Sequence, residues 1–154
     1  MEEKKENKRL WITIIIVSII IIGLCGGFLL GKLIGNGSFN NQLEKVKKII
    51  KDTYAGRNDF EVSGHTVKIK IWSDGIMSIA KKASEGDAKS IEYWNALKDK
   101  MYLLAAEITD MFLLTDDAVI YLCYVNEQNP DRELIVYKNK SLVYDVVEEY
   151  QKGD

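Results

Sequence analysis

The chain has 154 residues, 29% of them charged, and its 21 Lys and Arg nearly balance 23 Asp and Glu. That balance excludes the clustered basic footprint of a nucleic-acid binder. One histidine and two distant cysteines exclude a His–His pair, a C-x-x-C pair or an H-E-x-x-H zinc site.

Residues 1–9, MEEKKENKR, are polar and read as a cytoplasmic tail. Leu10 to Leu30, LWITIIIVSIIIIGLCGGFLL, follows as twenty-one residues without a charge. At ~1.5 Å per residue a helix of that length spans roughly 31 Å, the thickness of a bilayer's hydrocarbon core. A secretory apolar region is only ~7–15 residues long, and no small-x-small cleavage site follows here. The remaining chain is too short to enclose such a rod, so the sequence predicts a transmembrane helix over 10–34. Cys25 invites the lipoprotein reading, but Leu24 stands where cleavage needs a small residue.

Gly23, Gly27, Gly31 and Gly35 recur every fourth position and share one side of that helix. A groove without side chains lets a second helix approach closely, so these four are candidate helix-packing residues for a homo-oligomer. Lys4, Lys5, Lys8 and Arg9 are concentrated before the span, whereas twelve residues without a basic side chain follow Lys32. By the positive-inside rule, the N-terminus is cytoplasmic and the C-terminal domain extracytoplasmic.

GNGSFNN, residues 35–41, reads as a flexible linker, and 42–154 as a single α+β domain. Five basic and three acidic residues precede position 36, leaving sixteen and twenty after it, a net of −4. Leu43, Val46, Ile49, Ile50 and Tyr54 form a helical stripe over 42–54, expected to be a stalk spacing the domain from the bilayer. Val67, Ile69 and Ile71 alternate with Lys68 and Lys70 in a strand with one wet face. Ser73 or Asp74 is the expected cap of a helix reaching about Ala83, and Asp87 the cap of a longer one reaching about Leu114. Ile91, Trp94, Leu97, Met101, Leu104, Ala105, Ile108, Met111 and Phe112 mark the buried stripe of the long helix.

Ala118 to Val125, AVIYLCYV, is apolar on both alternations, as a covered or central strand is. Asn126–Asp131 reads as a turn, with Pro130 stopping the strand, followed by a hairpin of Leu134–Tyr137 and Leu142–Val147. The expected order is α-β-αα-β-β-β, a mostly antiparallel sheet of about four strands packed on the long helix.

Few residues invite chemistry. His65, the only histidine, sits in a polar strand start or loop, and no nucleophile elbow accompanies it. Cys123 lies in the most apolar strand, where a cysteine packs as a small hydrophobe. Asn126, Glu127, Asn129, Asp131 and Glu133 crowd oxygen ligands together, yet lack the central glycine of an EF-hand loop. Tyr93 and Trp94 are neighbours on a helix, one core and one boundary. Two N-x-S sequons, at Asn36 and Asn139, matter only in a glycosylating compartment. No cofactor-binding pattern is present.

IKIWSDGI, EYWNALKDK and VNEQNPDRELIVYKNKSLVYD together resemble uncharacterised small single-pass proteins of low-GC Gram-positive bacteria. The resemblance covers roughly residues 10–147 and implies a location in the bacterial cell envelope without implying an activity. The span departs from type IV pilins in lacking their early glutamate.

The function expected is a non-enzymatic, membrane-anchored interaction or structural module. It would pair through its span and contact an envelope protein through the final hairpin, whose exposed edge can accept a partner strand. The alternative is a small ligand- or ion-sensing domain with NEQNPDRE as its site.

Overall fold

Residues 39–54, 57–113 and 117–152 are described by the structure, a computed structural model. The tail, the predicted span 10–34, Cys25 and the glycines Gly23, Gly27, Gly31 and Gly35 lie outside the described residues. Among the described residues no helix is long and apolar enough to cross a membrane.

Helix α1 (Phe39–Thr53) begins three residues before Gln42 and takes in the end of the expected linker. The early start has a packing cause. The Phe39 ring lies 5.1 Å from His65 and 5.4 Å from Phe112. Leu43, Val46, Ile50 and Tyr54 then run into the main core, all buried. The helix is therefore docked along the domain, where a stalk spacing the domain from the bilayer was expected.

A hairpin follows, β1 (Arg57–Ser63) and β2 (Thr66–Trp72), closed by Gly64-His65. Gly64 sits at φ 57, a left-handed conformation that a side chain disfavours. Strand β1 was not expected. RNDFEVS offers only Phe60 and Val62 as apolar alternates, and its Asn-Asp pair looks turn-like.

Helix α2 (Ile76–Ser84) is capped by Gly75 and by neither expected residue. The Ser73 hydroxyl is engaged 2.6 Å from the Tyr124 hydroxyl, and Asp74 pairs with Arg57. The Gly75 amide donates instead to Glu127 Oε1 at 3.0 Å. Helix α3 (Ala88–Met111) is capped as expected, Asp87 accepting from the Ser90 amide at 2.8 Å. The Ser90 side chain, and after it this amide bond, hold the Asp87 carboxyl below its ordinary value. The stripe from Trp94 to Ile108 is buried, and Phe112 ends the helix.

Strands β3 (Val119–Asn126), β4 (Asn129–Lys138) and β5 (Ser141–Asp145) complete a five-stranded sheet in the order β1-β2-β3-β4-β5. Helix α4 (Val146–Lys152) ends the described chain. The fold is α+β as expected, but the sheet has five strands instead of four and is mixed. β2 and β3 are parallel, joined by the α2–α3 crossover, while the other three pairs are antiparallel. The turn before β4 is Glu127-Gln128, and Pro130 lies inside β4. The β3–β4 register slips there, so no regular ladder bond is asked of the proline.

All four of the described helices contribute to one main core, which includes Val67, Ile69, Ile71, Ile120, Leu122, Tyr124, Ile135 and Tyr137 of the sheet. The second sheet face holds a separate small cluster, Cys123, Val125 and Val136, flanked by Trp72, Tyr121 and Tyr144. Every member of it comes from a strand. Among the described residues, then, helices cover one face of the sheet and leave the other open.

Candidate functional site

The open face begins with the alternation of β2. Val67, Ile69 and Ile71 point into the helical core, which turns Thr66, Lys68 and Lys70 to the other side. Register does the rest. Lys68 lies beside Tyr121 of β3 and Lys70 beside Cys123, while Val136 of β4 pairs with both Cys123 and Tyr144 of β5.

The result is a trough of about 510 Å³ lined from both outer strands, by Glu61 and Ser63 of β1 and by Val143 and Tyr144 of β5. Its interior carries Lys68, Tyr121, Glu133 and Val136. A sheet whose first and last strands line one hollow is curled about that hollow. The volume falls within the ~300–1,000 Å³ of ordinary binding clefts.

Charges on this face are paired. Lys68 lies 2.6 Å from Glu133, and Lys70 lies 2.6 Å from Glu61 and 3.3 Å from Asp131. Lys70 was expected on a wet face, yet its side chain is largely buried beneath these carboxylates. Its hydrogen bond to Glu61 outweighs that burial and raises its pKa above the ordinary lysine value. The bond to Glu133 does the same for Lys68. Both lysines are cations at neutral pH, so neither offers a free base.

Cys123 is fully buried at the floor of this face, its Sγ 3.7 Å from Glu133. Burial pushes its thiol up to about 12, with the Glu133 charge acting in the same direction. A nucleophilic cysteine needs the opposite environment. Iodoacetamide at about pH 8 is therefore expected to spare Cys123 in the native protein and to modify it after unfolding, read by peptide mass mapping. Modification at native-state rates matching those of the unfolded chain would contradict this placement.

The other residues singled out in the sequence are dispersed. His65 lies in the exposed β1–β2 turn against Phe39, and its carbonyl accepts from the Val119 amide at 3.0 Å. Trp94 is core and Tyr93 boundary. The oxygens of the 126–133 segment serve different partners. Asn126 accepts from the Gln128 amide, Asn129 from the Asp131 amide and Glu127 from the Gly75 amide. Asp131 and Glu133 face Lys70 and Lys68. Among the described residues, no three His, Cys, Asp or Glu side chains are placed to share a metal ion.

The expected contact hairpin does reach the trough. Leu142 and Val143 of β5 are exposed, Val143 at 54%. The residues that sequence reasoning missed are Glu61, Thr66, Tyr121 and Tyr144, because only strand pairing assembles them. The one available signal was the polar alternation of β2. The chain matches no protein-family model, no curated protein and no solved structure.

Proposed function

We propose that the protein is a membrane-anchored, extracytoplasmic interaction module without enzymatic chemistry, held by a helix over 10–34. Two copies pair through Gly23, Gly27, Gly31 and Gly35, and the domain receives an envelope protein on its open sheet face. The observation that supports this reading most is the trough itself. It is a hollow that sets Val136, Tyr121 and Tyr144 beside the Lys68–Glu133 ion pair and is bordered by exposed Leu142 and Val143 on an edge strand. Protein interfaces mix apolar and aromatic contacts with polar ones in this way. The sensing alternative at 126–133 has less support, because its oxygens are already committed to the turn and to two lysines.

In-membrane crosslinking of the full-length chain tests both contacts. A photo-crosslinking side chain at Val143 is expected to capture a partner, and one at exposed Glu92, on the helical side, is not. Span pairing is expected to weaken in a Gly27→Ile, Gly31→Ile variant. If that variant crosslinks to itself as well as the parent does, the glycine groove is not the pairing surface.

A further inference from the structure

The same anchor, combined with the docking of α1, determines which end of the domain meets the bilayer. We propose that the end built from the β1–β2 turn, the C-terminus of α3 and the β4–β5 turn rests directly on the lipid surface. This inference depends on the membrane-anchor reading and goes beyond it by assigning a lipid-contacting surface.

Chain length carries the first step. Five peptide steps separate Ile34, the last residue of the predicted span, from Phe39. Fully extended they reach only about 18 Å. A free stalk over 42–54 would have carried the domain further out, but α1 folds back along the core. Phe39 is held at one end by the rings of His65 and Phe112. That end is also tied across the sheet. The Val119 amide donates to the His65 carbonyl at 3.0 Å. Asn139 then clasps Ile120, donating to its carbonyl at 2.7 Å and accepting from its amide at 2.9 Å. The eight residues of β3 place Gln128 at the opposite end, about 26 Å away at ~3.3 Å per residue.

The chemistry of the two ends differs accordingly. The near end presents Leu113, 68% exposed and the most exposed large apolar side chain among the described residues. The same end carries two lysines of the β4–β5 turn, Lys140 2.5 Å from Asp110 of α3 and Lys138 over the Tyr121 ring. An apolar side chain can enter the headgroup–acyl boundary while long lysine stems carry their ammonium groups to phosphate. Asp110 already pairs with Lys140, so the contact does not depend on anionic lipid. The far end shows exposed Asp74 and Gln128, and the exposed aromatic nearest to it, Tyr150, has its hydroxyl bonded to Arg132.

The test places a single environment-sensitive fluorophore on the full-length protein in a Cys25→Ser, Cys123→Ala background, through Leu113→Cys or Gln128→Cys. The proteins are reconstituted in phosphatidylcholine vesicles carrying a headgroup nitroxide quencher, after circular dichroism shows the native fold. The expected result is a blue-shifted, quenched label at 113 and an unquenched label at 128. Equal quenching at both positions, or none at either, in protein that resists carbonate extraction overturns the lipid contact and leaves the anchor standing. Release of the chain by carbonate removes the anchor reading and this inference with it.

Discussion

Asp145→Ala is expected to lower the unfolding free energy of the domain by about 3–5 kcal/mol, measured by urea titration with tryptophan fluorescence. This one buried side chain ties β5, α3 and α4 together. Its Oδ1 accepts from Trp94 Nε1 and from the Val147 amide, each at 2.9 Å. One bond fixes the largest aromatic of α3, and the other starts α4. Its Oδ2 is held by charge, 2.8 Å from Lys98 Nζ in an ion pair that falls short of hydrogen-bond angles. The Asp145 side chain is 2% exposed and that of Lys98 19%, so water cannot replace what alanine removes.

Burial alone would push the Lys98 pKa down, but Asp145 and Glu148 together hold it above 10.5. A raised lysine pKa contributes stability that is complete below the unfolded value and fades as pH rises through the folded one. The gap between wild type and Asp145→Ala is therefore expected to be constant between about pH 6 and 9. Asp145→Asn keeps an oxygen for Trp94 and Val147 but turns an amide NH2 toward the Lys98 ammonium, so a cost of about 2–3 kcal/mol, below that of alanine, is expected. An alanine variant within about 1 kcal/mol of wild type would mean that the network is not what joins β5, α3 and α4.

Ile50→Ala is the second large effect, about 2–5 kcal/mol in the same titration. Ile50 is 0% exposed in the middle of the α1 stripe, between Val46 and Tyr54, and truncation leaves a cavity against the main core. Lys48→Ala, on the exposed side of the same helix, is expected to change stability by less than about 0.5 kcal/mol. The contrast separates two pictures of α1. A free stalk would tolerate both substitutions equally, since neither side chain would touch the domain. A docked helix makes Ile50 a core residue.

The stripe of α1 was legible in the sequence, but its partner was not. An amphipathic period identifies an apolar face without saying whether it meets its own domain or another chain. The same limit explains β1. Asn58 and Asp59 disfavour a strand locally, and pairing with β2 overrides them. Helix α4 was read as the end of β5 because Val146 and Val147 continue an apolar run. Asp145 redirects the chain there by capping, a tertiary role tied to Trp94 and Lys98. In contrast, Asp87 and the α3 stripe were read correctly, because an N-cap and a long 3.6-residue period are both local signals.

The trough was the least legible feature. Its lining comes from all five strands, and its volume exists only because β1 and β5 approach the same hollow. Lys68 and Lys70 looked like a solvated strand face until Glu61, Asp131 and Glu133 were placed against them. The end that carries Leu113 is similar, since Asp110 and Lys140 are distant in sequence and only the fold brings them together.

The measurement that bears most directly on the interaction-module account is site-specific photo-crosslinking in intact native membranes, from Val143 beside the trough and from Glu92 on the helical side. The account predicts a discrete adduct from 143 that is weakened when Tyr121→Arg fills the trough, and no such adduct from 92. Indistinguishable adducts from the two positions, or an adduct at 143 untouched by Tyr121→Arg, would contradict it.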